Sequence, residues 1–222
     1  MKTAALEVKN LSVSYGERKV LRDFNLRVEE GEALLLHGPS GCGKSTLLYA
    51  ICGLIPDIVQ GNLSGKVDIF GVPVKNMDKA ARTQYIGVVF QNPETQLFCD
   101  SVEDEIAFGL ENICLSSAQI HERISEALVL TGLEKYRCIS PERLSGGEKQ
   151  LVILAAVLAL RPKLLLLDEA LSQLDNKNKS LLTQRLRELK SRETTMVIVD
   201  HSMELAGICE RSVKLLAVAE SG

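Results

Sequence analysis

One-signed charge is scarce in this chain: 26 Lys and Arg against 29 Asp and Glu leave a formal net charge of −3 over 222 residues. No global field draws it toward nucleic acid or an anionic membrane surface, and no nucleic acid partner is expected. Long apolar runs are missing too. The longest, Leu151 to Leu160, spans ten residues, about half of what a membrane-crossing helix requires. Met1 to Glu7 lacks the basic stretch and apolar core of a signal peptide. A role at a membrane would therefore mean docking on something that spans it. The six cysteines (Cys42, Cys52, Cys99, Cys114, Cys138 and Cys209) have neither C-x-x-C spacing nor the density of a secreted disulfide scaffold, and read as reduced cytosolic thiols. Internal repeats and low-complexity linkers are absent as well. What remains is 45% apolar and 25% charged residues, a balance that excludes collagen-like and disordered classes. The length suits one α/β domain, or a core with a smaller inserted lobe.

The opening is strand-rich. Leu6, Val8, Leu11 and Val13 partly alternate between Leu6 and Ser14, and Lys19 to Val28 repeats the pattern. Ala33 to His37 is a short buried-strand candidate running into a glycine loop, after which Leu47, Leu48, Ala50, Ile51 and Leu54 suit a helix. Lys66 to Phe70 and Ile86 to Phe90 are further strands, the second stopped by Gln91-Asn92-Pro93. From Glu94 to about Gln150 the periodicity turns helical, and Ser116-x-x-Gln119 reads as a capping box ahead of Ile120, Ile124, Ala127 and Leu128 on one face. This stretch, 94–150, is expected to form a helical lobe inserted in a single domain, 1–222. An all-round apolar helix follows Ser145-Gly146-Gly147 as far as Leu160. Then come the buried strand Leu164 to Leu167, an amphipathic helix with Leu182, Leu186 and Leu189, the strand Met196 to Val199, and a last strand expected over Val213 to Val218. Strands alternating with helices imply a mainly parallel sheet covered on both faces.

Gly38-Pro39-Ser40-Gly41-Cys42-Gly43-Lys44-Ser45 matches G-x-x-x-x-G-K-[ST] at every fixed position, between a strand and a helix as the motif requires. Glycines permit the tight turn that aims successive N–H groups and the helix N-terminus at phosphate oxygens. Lys44 adds a point charge for the β- and γ-phosphates, and the Ser45 hydroxyl suits Mg²⁺. Four leucines ending in Asp168 deliver a carboxylate to the sheet edge where α/β proteins bind ligands. Asp168 suits direct or indirect Mg²⁺ coordination, and Glu169 suits a general base polarising water.

Together with these motifs, Gln91, Leu144-Ser145-Gly146-Gly147-Glu148, Leu174-Asp175 and His201 follow the order found in the ATP-binding cassette ATPases, which nearly the whole chain resembles. Ser145 and the two glycine amides open a helix and form a second anion site. The resemblance implies an α/β P-loop NTPase fold with a RecA-like parallel-sheet core, an N-terminal antiparallel β subdomain and an inserted α-helical subdomain. It also implies ATP and Mg²⁺ as ligands, and a second subunit whose γ-phosphate the Ser145 site closes on. By the same resemblance the whole loop from Gly38 to Thr46 holds nucleotide, with Cys42 contributing backbone. Tyr15 would stack on adenine, Gln91 would couple Mg²⁺ and water to a transmembrane partner, and His201 would contact the γ-phosphate and the attacking water. Each of these three also has a plain structural reading, as a surface-packed tyrosine, a strand-end cap and a loop histidine.

Val89-Phe90-Gln91-Asn92-Pro93-Glu94-Thr95-Gln96-Leu97-Phe98 and Val102-Glu103-Asp104-Glu105-Ile106-Ala107-Phe108-Gly109 resemble the energy-coupling-factor branch, whose ATPases drive uptake of vitamins or of cobalt and nickel ions. That branch implies a membrane-embedded coupling protein docking near Gln91, a separate substrate-binding membrane protein, a homodimer or a heterodimer with a related ATPase, and a peripheral location on the cytoplasmic face of the cell membrane. Departures from the family are Leu151 in place of an arginine, Ala170-Leu171-Ser172-Gln173 before Leu174, and Asp200 and Ser202 around His201. The C-terminal helical extension usual in that branch is not expected, leaving dimerisation to ATP or the membrane partner. The competing readings are a general ABC transporter ATPase, a weakly hydrolytic regulatory half of an asymmetric dimer, and a non-transport cassette protein. The last usually brings tandem cassettes, coiled-coil insertions or basic extensions, none of which this sequence has.

Overall fold

Two sheets with different wiring organise the chain. A computed structural model describes residues 4–172, 174–200 and 205–218. In chain order the first elements are β1 (Ala4–Tyr15), β2 (Arg18–Glu29), β3 (Ala33–His37), α1 (Lys44–Ile51), β4 (Asn62–Ile69), β5 (Val72–Pro73), α2 (Lys79–Tyr85) and β6 (Ile86–Val89). They are followed by α3 (Val102–Asn112), α4 (Ser117–Thr131), α5 (Gly146–Ala159), β7 (Leu164–Asp168), α6 (Asn176–Ser191), β8 (Thr195–Val199) and β9 (Arg211–Lys214).

The alternating opening folds as an antiparallel sheet in the order β2-β1-β4-β5, with Val8 opposite Leu26 on one side and Val67 on the other. The second sheet, β6-β7-β8-β3-β9, is parallel throughout. Its central strands are buried on both faces, so their period-two alternation feeds two cores. Leu165 and Leu167 of β7, Met196 and Ile198 of β8, and Leu35 of β3 pack with α3, α4, α5 and α6. Leu164, Leu166, Val197, Val199, Leu34 and Leu36 face α1 and the antiparallel sheet. The helices begin where the sequence supplies caps. Ser116 and Gln119 form a reciprocal box at α4, Ser145 and Glu148 another at α5, and Asp175 accepts from the Asn178 N–H at α6.

Two expectations shift. The last strand lies over Arg211–Lys214 instead of Val213 to Val218. Its partner β3 has only five residues, and the register Leu34↔Arg211 to His37↔Lys214 exhausts it. The Leu215 N–H takes the final carbonyl, that of His37, before the chain meets the glycine loop, and Leu216 is left exposed. The boundary set near residue 150 falls inside α5, which continues to Ala159 and is buried on nearly every side. Among the described residues no helix is long and apolar enough to cross a membrane.

Candidate functional site

β3 carries the chain to the C-terminal edge of the parallel sheet, where Gly38 begins a loop too tight for any side chain at that position. A Cβ there would lie 2.3 Å from the Leu215 carbonyl oxygen. Gly43, at φ +104°, occupies the capping position of α1 in a left-handed conformation, with Val20 and Leu21 of β2 pressed against it at 3.0 Å from the would-be Cβ. Neither a side-chain cap nor an acidic residue claims the first turn of α1, so its N–H groups converge on the loop. Lys44 is 6% exposed, and its ammonium donates to the carbonyls of Gly38 and Pro39, both at 3.0 Å. This cation spans the loop on hydrogen bonds to neutral acceptors, which an anionic ligand would replace with stronger ones. Pro39, Ser40 and Gly41 are exposed, whereas Cys42 and Thr46 are buried. The Tyr15 hydroxyl lies 3.4 Å from the Thr46 hydroxyl, and its ring is half-buried beside Gly61.

Opposite the loop, β7 ends at Asp168, which is 4% exposed and accepts a 2.8 Å hydrogen bond from the Ser45 hydroxyl. Glu169 leaves the strand with φ +50°, an uncommon conformation for a residue with a side chain. Its N–H donates to the Val199 carbonyl, and its carboxylate accepts a 2.8 Å hydrogen bond from the Gln91 amide just beyond β6. Lys44, Ser45, Gln91, Asp168 and Glu169 thus meet at one sheet edge. Tyr49, one turn along α1 from Ser45, was not anticipated. Burial and the Asp168 charge push its hydroxyl pKa up, and its ring meets Phe90 edge-on at 5.5 Å. Its spacing of four from Ser45 was the only available signal.

Ser145, Gly146 and Gly147 lie elsewhere. Ser145 and Gly146 are exposed at the N-terminus of α5, Gly147 is buried, and no hydrogen bond or ion pair among the described residues links them to the phosphate loop. The Ser145 N–H and hydroxyl donate to Glu148 at 2.9 and 2.8 Å, and the Tyr136 hydroxyl donates to the other Glu148 oxygen. These contacts, Tyr136 first, hold the Glu148 carboxyl below the usual carboxylate range. His201 lies outside the described residues, as does Gln173.

The sequence model of the ABC transporter family matches residues 21–172. The chain belongs to the ABC transporter family. Within it, the energy-coupling factor transporter ATP-binding protein EcfA1 of Leuconostoc mesenteroides is 38% identical over 212 residues, 94% of this chain and 76% of the relative. A Methanosarcina acetivorans relative, itself only provisionally assigned as an ABC transporter ATP-binding protein, is 40% identical over 94% of this chain. The chain spans 33% of that relative's length and 36% of a similar one from Methanosarcina mazei. Among solved structures of the ABC family, cbiO1 of Clostridium perfringens, part of the cbiONQ transporter complex, superposes with a TM-score of 0.82 at 30% identity, covering 96% of this chain and 85% of that one. The dimeric cassette MJ0796 in a post-hydrolysis state with ADP and Pi superposes at 0.83 and 29% identity, covering 95% of this chain and 94% of that one. The antiparallel and parallel sheets of the present chain are therefore the α/β architecture of an ABC ATPase domain.

Proposed function

We propose that this chain binds ATP with Mg²⁺ and hydrolyses it to drive solute uptake, as one ATPase subunit of an energy-coupling-factor importer for a vitamin or a transition-metal ion. The convergence of Ser45 on Asp168 and of Gln91 on Glu169 around one phosphate loop carries this reading. The loop from Gly38 to Thr46 and the start of α1 hold the phosphates, Lys44 exchanges its carbonyl partners for β- and γ-phosphate oxygens, and Tyr15 covers the adenine. The Ser45 hydroxyl and Asp168 carboxylate, already 2.8 Å apart, are hard oxygen donors of the kind Mg²⁺ takes alongside phosphates and water. The Gln91 amide oxygen suits a third position. When bound, Mg²⁺ neutralises charge on the β- and γ-phosphates.

Glu169 takes the proton from water as the water oxygen attacks the γ-phosphorus and the bond to the bridging oxygen breaks. Gln91 orients that carboxylate and the water, and His201 contacts the γ-phosphate. The exposed Ser145-Gly146-Gly147 end of α5 completes the site of a second subunit, identical or related. The helices of 94–150 form the inserted lobe that presents it.

Docking on a membrane-embedded coupling protein falls near Gln91. There Phe98 and Phe108, 65% and 46% exposed, stack edge-on at 4.7 Å beside a cleft of about 210 Å³ lined by Glu94, Leu97 and Lys149. An exposed aromatic pair at a cleft is a typical anchor for a partner helix. In this reading the subunit sits peripherally on the cytoplasmic face of the membrane, and the solute is held by a separate substrate-binding membrane protein.

Gentle affinity purification from detergent-solubilised host membranes, with mass spectrometry of the co-purifying chains, tests this. A coupling protein together with a small multi-span protein is the expected result. Ordinary paired transmembrane domains would replace the importer branch by a general ABC transporter, and ribosomal or DNA-repair partners without a membrane protein would overturn transport.

A further inference from the structure

Phe90 is held by three separate contacts, from α1, α5 and the segment that follows β6. Its ring meets Tyr49 of α1, its N–H donates to the Gln96 side-chain oxygen at 2.9 Å, and its carbonyl accepts from the Gln150 amide of α5 at 3.1 Å. Gln150 is 3% exposed, and its side-chain oxygen is buried without a hydrogen-bond partner. A buried amide satisfied at one end only is costly, and apolar residues of the same size are available to helix packing at no such cost. What the amide secures is a direct grip of α5 on the residue before Gln91, five positions along α5 from Ser145. A second tie runs beside it, from the Lys149 ammonium to Glu94 at 2.5 Å.

We propose that Gln150 is a positioning residue that ties the Ser145 end of α5 to Gln91 and so sets the Gln91 contact with Glu169. This rests on the ATPase reading above. A displacement of α5 by phosphate at its N-terminus is passed through the Phe90 carbonyl to Gln91, and the unsatisfied Gln150 oxygen leaves the contact with something to gain from a shifted arrangement.

The test uses the reconstituted complex, with the full chain paired with its second ATPase subunit, saturating MgATP, and the variants Q150L, Q91A and Q91A/Q150L. For Q150L the MgATP dissociation constant is expected to stay within about twofold of wild type, while kcat falls roughly tenfold, the scale of one lost buried hydrogen bond. Because Gln150 acts through Gln91, the double variant is expected to be no slower than Q91A. A wild-type kcat for Q150L, or losses that multiply in the double variant as a merely structural defect would give, overturns the proposal. Q150M, unbranched and close in length to glutamine, carries the same test if Q150L does not fold. Failure of the wild-type chain to bind MgATP would overturn the ATPase reading itself, a result distinct from either outcome for Gln150.

Discussion

Ser45 and Asp168, 123 positions apart in the sequence, share a 2.8 Å hydrogen bond. One residue belongs to the first turn of α1 and the other to the last position of β7, so the bond exists only when β3 and β7 both flank β8 in register. The Asp168 carboxylate is nearly excluded from water, which makes its partners costly to remove and fixes the oxygen geometry before any ligand arrives.

Lys44→Ala removes the cation that spans the phosphate loop. A charge-assisted hydrogen bond contributes about 1.5–3 kcal/mol, so ATP affinity is expected to fall by roughly one to two orders of magnitude. Direct calorimetric titration measures this, and an unchanged dissociation constant would remove Lys44 from phosphate binding.

Glu169→Gln keeps a hydrogen-bonding group opposite Gln91 but cannot take up a proton from water. ATP binding should persist and favour a closed dimer, with hydrolysis slowed roughly 10²- to 10⁴-fold. Size-exclusion chromatography with ATP and single-turnover kinetics read both effects, and near-normal turnover in the reconstituted complex would reassign the base.

Gly38→Ala forces a methyl group against the Leu215 carbonyl oxygen, 2.3 Å from the would-be Cβ, and backbone there has little room to yield. The expected cost is about 1–3 kcal/mol, or a lowering of Tm by several degrees, together with weaker nucleotide binding as the loop shifts from β9. Gly41 is the comparison. Its φ is +75° but no atom lies within 4 Å, so Gly41→Ala carries conformational strain alone. Thermal melts that rank the two alike would discount the Leu215 contact.

Acid weakens the start of α5 through Glu148. The Tyr136 hydroxyl, the Ser145 backbone N–H and the Ser145 hydroxyl lower its carboxyl pKa against the opposing effect of desolvation. A group depressed in the folded state adds stability above its unfolded pKa and loses that share as pH falls through the folded value. The loss therefore falls in the acid range below about pH 4, the ordinary glutamate region, and not near neutrality. Tyr136→Phe removes the largest cause and should move the acid limb of the Tm profile upward. An unmoved limb would show that Glu148 does not govern it.

Short-range physics was legible before any coordinates. The turn from β3 through Gly38 and Gly43 into α1, the all-leucine β7, and the capping boxes at Ser116 and Ser145 each depend on a few consecutive residues whose conformational preferences and hydrogen-bonding groups are local. The residues proposed to handle phosphate were therefore visible in the sequence alone, as was the family they resemble. Register was not. The true limits of β9 depend on the length of β3, a strand more than 170 positions away, and no local alternation in Val213 to Val218 reports it. The pairing of Gln91 with Glu169, the reach of Gln150 to Phe90 and the contact of Tyr49 with the Phe90 ring depend on how distant segments such as β6 and β7 align. The sequence by itself determined which candidate groups this protein offers for phosphate chemistry. Tertiary structure decided which of them touch, because contacts between distant segments follow from strand order and register, which only the assembled cores enforce.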